Sequence, residues 1–172
     1  MKPIIKWAGG KTQLISRIKE RMPMTYNNYY EPFIGGGALL FSLVADNASI
    51  SDINKELVHM YKVVRDDLDT LIKVLDKIDQ EHELELKEFY LSSRIRYNEK
   101  IKDKVYDVEM AALFIYLNKH CFNGLYRVNS KGFFNVPFNG RKTGQSYEIN
   151  NLTEVSNYLK SVKIHHGDFS DI

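Results

Sequence analysis

The feature that most restricts the fold is the stretch between residues 29 and 52. An aromatic run at 29–33 leads into Ile34-Gly35-Gly36-Gly37, and an apolar helical pattern of Ala38, Leu39, Leu40, Leu43 and Val44 follows. Pro32 has no N–H to give to a ladder, so the predicted first strand ends there. Residues 48–52 form a second short strand, with Ile50 turned inward and Asp52 at its carboxyl end. Strand, glycine turn, helix, strand and acid in succession describe the opening of a parallel sheet. In such sheets ligands sit beyond the carboxyl ends of the strands, where a glycine turn and a helix N-terminus face them. A similar glycine-centred turn, Ala8-Gly9-Gly10-Lys11, lies upstream.

Downstream the pattern turns helical. Leu57, Tyr61, Val64, Leu68, Leu71 and Leu75 recur at three and four residues and predict one amphipathic helix. Residues 84–97 and 110–120 are also expected to be helical, with 111–117 apolar on most sides and therefore buried. Turn signals at Gly124, 129–132 and Asn139-Gly140 enclose a short strand or hairpin at 133–138, and residues 162–165 form a last strand before Gly167-Asp168. The order is that of a nucleotide-type α/β core interrupted by a second unit. The expected division is 1–56 for the first part of the core, 57–147 for the insert and 148–172 for the return to the core.

A chain of 172 residues can bury a core of its own, and 44% hydrophobic with 27% charged residues excludes a disordered or collagen-like polymer. The single cysteine, Cys121, excludes an intramolecular disulfide and a cysteine-based zinc site within one chain. A reducing cytosol fits that usage. No apolar run reaches the length of a membrane span.

The net charge of +2 conceals a segregation of signs. Between residues 66 and 109 thirteen acids stand against eight bases, whereas 110–147 contains no acid at all. There Lys119, Arg127, Lys131, Arg141 and Lys142 are interleaved with Phe122, Tyr126, Phe133, Phe134 and Phe138. Bases mixed with aromatic faces suit a polyanion that carries nucleobases. A basic loop capping an aromatic minicore is the alternative at equal weight.

Asp52 is placed to take ribose hydroxyls, as the acid ending the second strand does in nucleotide-binding sheets. It can equally cap the next helix, since Ser51-Asp52-Ile53-Asn54 offers several capping side chains. Neither glycine turn is a P-loop, because Gly10-Lys11-Thr12 lacks the earlier glycine that motif requires. Trp7 offers a flat face to a ligand or a large side chain to the core. Lys11 can meet an anion or remain solvated.

Taken together, Lys6-Trp7-Ala8-Gly9-Gly10-Lys11, Glu31-Pro32-Phe33-Ile34-Gly35-Gly36-Gly37, Ser51-Asp52-Ile53-Asn54 and the stretch 118–138 resemble the Dam-type (D12 class) DNA adenine-N6 methyltransferases, in order and at similar spacing. The resemblance implies an α/β fold: a Rossmann-like S-adenosylmethionine-dependent methyltransferase core, incomplete in this chain, with an inserted mainly helical target-recognition domain and a β-hairpin. It implies a cofactor site of Trp7, Gly9, Gly10 and Lys11 from the first segment and Glu31, Pro32, Phe33, Gly35 and Gly37 from the second. Asp52 and Ile53 follow the second strand, and Asp168 with Phe169 lie near the cofactor adenine. The partner implied is double-stranded DNA, in a cytoplasmic protein of bacterial or phage type that marks host DNA or accompanies a restriction nuclease.

By the same resemblance, Cys121 through Arg127 and Phe134 through Phe138 form a hairpin that enters the DNA major groove. Arg127 reads guanine, whose O6 and N7 match the forked guanidinium. Leu125 and Pro137 touch base edges, and Phe122 and Asn123 attend the gap beside a flipped adenine, a base that must leave the stack for its N6 to be reached. Gly124, Asn129 and Asn135 belong to the same hairpin, while Lys119, Lys131 and Lys142 are phosphate contacts. A GATC-like target follows from the likeness of the hairpin.

The Asp-Pro-Pro-Tyr motif that holds the target amino group in this family is absent from these 172 residues, whose prolines are Pro3, Pro23, Pro32 and Pro137. No catalytic residue is therefore assigned. The chain alone is expected to be inactive, a truncated piece or one half of a split enzyme with the rest as a separate chain. Its sheet is expected to be incomplete, with apolar surface exposed. The alternative is a non-catalytic DNA-binding module. No metal is expected, and His165-His166 reads as an ordinary strand end.

Overall fold

The computed structural model describes residues 1–142 and 144–171, and the side chains of all of these except Lys11 and Asp171. Three strands, β1 (Tyr29–Glu31), β2 (Ala48–Asp52) and β3 (Lys163–His166), form a parallel sheet in the order β1-β2-β3. The register pairs Glu31 with Ile50, Ile50 with Ile164 and Asp52 with His166. The carboxyl ends of β2 and β3 are therefore level, and the Gly167 N–H donates to the Asp52 carbonyl at 3.2 Å. β1 stops before Pro32, as the missing amide requires.

Among the described residues seven α-helices accompany the sheet: α1 (Ile15–Lys19), α2 (Ala38–Leu43), α3 (Lys55–Asp66), α4 (Leu68–Glu85), α5 (Lys87–Asp103), α6 (Val108–His120) and α7 (Ile149–Leu159). α3 packs on β2 and β3 and against α7, while α6 is surrounded by α3, α4 and α5. That position explains why α6 is apolar all round: Met110 through Asn118 are all buried. Parallel neighbours need a crossover, which α2 supplies between β1 and β2, and the long excursion from α3 to α7 supplies between β2 and β3. Buried residues from Ile5 through Ile164 form one continuous core.

The single helix expected across Leu57 to Leu75 is instead two. The chain breaks at Asp67, with φ −143° and ψ 52°. One non-helical residue shifts the apolar spacing too little to disturb a three-or-four repeat, so the periodicity runs through the break. The stretch expected to be helical from residue 84 breaks at Leu86, whose φ of 48° and ψ of −110° turn the chain between α4 and α5. Helix α7 was not expected. Its Leu152, Val155 and Leu159 are buried at helical spacing, and the Glu148 carboxylate caps it by accepting from the Asn150 and Asn151 amides. The segment 133–138 forms isolated bridges rather than a ladder, Val128 with Phe134 and Cys121 with Phe138, both antiparallel. Large apolar side chains left exposed include Met24, Phe33, Ile53 and Phe169. No helix among the described residues is long and apolar enough to cross a membrane.

Candidate cofactor cleft and DNA-reading hairpin

The glycine turn is built by backbone hydrogen bonds that leave it little freedom. Ile34 N–H donates to the Ser51 carbonyl at 3.0 Å and Gly37 N–H to the Ile34 carbonyl at 2.9 Å. The Tyr61 hydroxyl, fully buried, donates to the Gly35 carbonyl at 2.9 Å, and burial pushes that phenol well above its ordinary range. Asp52 closes the turn: one carboxylate oxygen accepts from Gly35 N–H at 3.1 Å and the other from Asn54 N–H at 2.9 Å. The cap of α3 is Asn54, whose side chain accepts from Leu57 N–H at 2.8 Å. Of the two roles open to Asp52 in the sequence, helix capping therefore falls to its neighbour.

Gly35 and Gly37 both have positive φ, 50° and 72°. A Cβ on Gly35 would lie 2.7 Å from Trp7 Cδ1. The glycine is thus required by the indole packed on the turn as well as by its backbone angle.

Around this turn lies a cleft of about 300 Å³, lined among others by Trp7, Gly9, Gly10, Glu31, Phe33, Gly35, Gly37 and Asp52. Eight of the residues expected at the cofactor site are brought together there. The side chain of Lys11 lies outside the described residues. Pro32, Ile53, Asp168 and Phe169 do not line the cleft; Ile53 and Phe169 are exposed. The Phe169 ring rests on Phe33, centroids 5.6 Å apart. Asp168 closes a tight turn, accepting from Ser170 N–H and its hydroxyl, and these bonds hold its carboxyl below the usual range. Glu31 is buried and accepts from the Tyr29 hydroxyl at 2.7 Å.

A second, larger cleft of about 400 Å³ shares Trp7, Gly10, Gly36 and Ala38 with the first and is walled on its far side by Lys6, Asn118, Lys119 and Arg141. The two clefts thus meet at Trp7, and the outer one is basic. The Trp7 indole stacks on Phe114 and Tyr126, with centroids 6.3 and 5.3 Å away. Asn118, absent from the sequence-derived site, is the buried tie between these parts. It accepts from Lys6 N–H at 2.8 Å and donates to the carbonyls of Lys6 at 2.8 Å and Gly124 at 3.1 Å. A lone buried asparagine at the end of an apolar helix is the signal that could have marked it, because such an amide must find partners.

The hairpin leaves the end of α6 and returns beside it. Asn135 N–H donates to the Arg127 carbonyl at 3.1 Å and Phe122 N–H to the Pro137 carbonyl at 2.8 Å. The tip turns at 129–132, where the Asn129 side chain accepts from the Lys131 and Phe133 amides. Arg127 is exposed, its guanidinium clamped by Asn135 through Nε to Oδ1 at 2.7 Å and Nη2 to the carbonyl at 3.2 Å. Lys119, Phe122, Asn123, Lys131, Pro137 and Lys142 are also exposed, while Leu125 and Asn135 are half-buried and Gly124 is buried beneath Lys6. Cys121 is buried, and burial pushes its thiol up to about 11.

Behind the hairpin His82 and His120 lie ring to ring, centroids 4.2 Å apart. His82 pairs with the Tyr116 hydroxyl at 2.8 Å, whereas both His120 nitrogens lack a partner among the described residues. Burial pushes His120 down to about 3. No group of three metal-ligating side chains occurs among the described residues.

A family model of the D12 class N6 adenine-specific DNA methyltransferases matches residues 7–172. The chain is 46% identical to the Type II methyltransferase M.MjaIII of Methanocaldococcus jannaschii, over 98% of this chain and 63% of that protein. It is 42% identical to the Type II methyltransferase M1.LlaDCHI of Lactococcus lactis subsp. cremoris, over 98% and 59%. With the DNA adenine methylase of Haemophilus influenzae it shares 34% identity, over 83% and 48%. The chain thus spans about three fifths of the length of the first two relatives. A glycine turn tied to Asp52, a tryptophan between two clefts and a basic hairpin beside them accompany a match across nearly the whole chain, and the chain belongs to the D12 class N6 adenine-specific DNA methyltransferase family.

Proposed function

We propose that these residues form the cofactor-binding and DNA-reading part of an S-adenosylmethionine-dependent DNA adenine-N6 methyltransferase. The observation that carries the reading is the shared wall: Trp7 lines the glycine-turn cleft and the basic cleft alike and stacks on the base of the hairpin. A cofactor in the first cleft and a phosphodiester chain along the second would be neighbours. The residues suit the cofactor, since the cleft combines close backbone at Gly35 to Gly37, the half-buried Asp52 carboxylate for hydroxyl groups and the Phe33 ring at its edge. When bound, S-adenosylmethionine supplies the electrophilic methyl group. Asp52, Trp7 and the turn hold and orient it, and the contact between Phe33 and Phe169 must open if an adenine is to lie between them.

On this reading Arg127 and Asn135 meet base edges, Leu125 and Pro137 pack on them, and Phe122 and Asn123 attend a flipped adenine in a GATC-like site. Lys119, Lys131 and Lys142 meet phosphates, with Lys6 and Arg141 added by the basic cleft. Residues 1–56 and 148–172 make the core and 57–147 the recognition insert. No Asp-Pro-Pro-Tyr stands in these residues, so they transfer no methyl group by themselves.

Calorimetric titration of S-adenosylmethionine into the chain tests the cofactor reading. Saturable heat is expected, lost in Asp52→Ala and weakened in Phe33→Ala, whose exposed ring can be removed without disturbing the turn. A folded chain that gives no heat, or heat unchanged in both variants, overturns it. Labelled methyl transfer to DNA by the 172-residue chain would overturn the assignment of the catalytic step to other residues.

A further inference from the structure

The outer arm of the hairpin, 134–138, is bonded to a helix as fully as to its sister arm. Between the two arms only isolated bridges form, and a two-stranded hairpin is marginal in water. The other edge of the arm faces α5, which supplies what a neighbouring strand would. Asn98 donates from Nδ2 to the Phe134 carbonyl at 3.0 Å and accepts the Phe134 N–H on Oδ1 at 2.8 Å. Arg94 Nη1 donates to the Val136 carbonyl at 3.2 Å, and the Tyr90 hydroxyl donates to the same oxygen at 2.8 Å.

The spacing explains why a helix can do this. Tyr90, Arg94 and Asn98 stand four residues apart on one face, an advance of about 6 Å per step along a helix. Two residues of a strand advance about 6.6 Å. One helical step therefore matches one strand repeat, so Asn98 meets Phe134 and Arg94 meets Val136.

We propose that Tyr90, Arg94 and Asn98 are specificity-positioning residues, a hydrogen-bonding rail on α5 that fixes the register of the hairpin's outer arm and through it the orientation of Arg127. The inference rests on the DNA-reading assignment of the hairpin made above. Phe134 and Val136 are buried while Asn135 and Pro137 alternate toward the open side. A slip of one residue would exchange the two faces and bury the groups that meet DNA. The Asn98 amide opposes that slip, because it holds both polar groups of Phe134. Asn135, next in the chain, clamps Arg127 with its side chain and carbonyl. None of the three rail residues needs to touch DNA for this role.

The test uses short duplexes with a randomised central hexamer, from which the chain selects and the bound fraction is sequenced, alongside affinity for the unselected pool. In Asn98→Leu the Phe134 amide is expected to exchange faster with solvent. Enrichment of the selected sequence is expected to fall about tenfold, the scale of one well-oriented bidentate base contact, while affinity for the unselected pool and for S-adenosylmethionine stays within about twofold of the wild type. Asn98→Asp, which keeps the acceptor and loses the donor, should fall between. If Asn98→Leu does not fold, Tyr90→Phe removes one hydroxyl and keeps the packing, and the same change in enrichment is expected at smaller size. Unchanged enrichment in a folded variant overturns the proposal, as does an equal loss of pool affinity and enrichment, which would mark a merely structural role. A wild-type chain that binds the pool and enriches nothing overturns the DNA-reading assignment itself, and this proposal with it.

Discussion

The indole of Trp7 lies stacked on the ring of Tyr126, with centroids 5.3 Å apart and planes inclined by 21°. One residue comes from the first glycine-containing segment and the other from the inner arm of the hairpin, so this contact couples the two clefts to the arm that carries Arg127. A double-mutant cycle of Trp7→Leu and Tyr126→Leu in urea is expected to show a coupling of about 1 kcal/mol, the size usual for an aromatic pair. A coupling indistinguishable from zero would show that the stack joins nothing energetically.

Gly35 cannot accept a side chain. Its φ of 50°, and the 2.7 Å that would separate an added Cβ from Trp7 Cδ1, predict that Gly35→Ala loses about 1–2 kcal/mol from backbone strain alone. Displacement of the indole adds to the loss. Thermal unfolding checks the stability, and calorimetry is expected to show that the variant no longer binds S-adenosylmethionine.

Asn118 joins three backbone groups of two distant segments. Asn118→Leu keeps the volume and leaves the Lys6 N–H, the Lys6 carbonyl and the Gly124 carbonyl without this partner, so a destabilisation of about 3 kcal/mol is expected. Asn118→Asp retains the acceptor for Lys6 N–H but loses both donated bonds. Urea midpoints for the two variants should rank both below the wild type.

The histidine pair gives stability a defined dependence on pH. His120 is pushed down to about 3 by burial, and His82 is also lowered for the same reason. In the unfolded chain each takes up a proton near its ordinary value of 6.5. Below that pH the unfolded state binds more protons, so stability falls as pH drops from about 6.5 toward about 3, by up to about 1.4 kcal/mol per pH unit for one such group. Half-buried Asp79, whose carboxyl is raised chiefly by burial, acts in the opposite sense in the acid range. The difference between wild type and His120→Phe isolates the histidine: the variant should show the shallower acid loss in urea midpoints measured from pH 7 to pH 4.

Arg127 owes its orientation to a fork that lysine cannot reproduce, Nε and Nη2 both engaging Asn135. Arg127→Lys preserves the charge, so the salt dependence of duplex binding is expected to stay the same. Discrimination among duplex sequences should fall by about 1–3 kcal/mol at the guanine position. Binding to selected and scrambled duplexes at several salt concentrations separates the two effects.

Much of the architecture could be read from the sequence because it is local. The end of β1 before Pro32, the glycine turn, β2 with Asp52 at its carboxyl end and the all-apolar α6 each follow from the conformational limits or periodicity of neighbouring residues. Of the eight expected residues that line the first cleft, the glycine turn and Asp52 could be read from such local pattern, whereas the others were implied by the family resemblance; Glu31 and Asp52 meet because the parallel sheet brings its carboxyl ends together. Helix α7 carried its signal in Leu152, Val155 and Leu159, and was missed for want of a stronger punctuation than Glu148.

Other features depended on contacts made across long stretches of chain. Nothing local marks Leu86 as the residue that takes φ 48°, since leucine ordinarily favours continuing a helix. Likewise Asn118 meets Lys6 across 112 residues and Asn98 meets Phe134 across 36. By itself the sequence determined the strands on either side of the glycine turn, the turn itself and the buried helix α6, because those choices are settled within a few residues by steric limits and apolar spacing. Tertiary structure alone decided which buried amide, hydroxyl or imidazole faces which backbone group, because nearly every polar group taken out of water pairs with whatever the packed chain brings within about 3 Å.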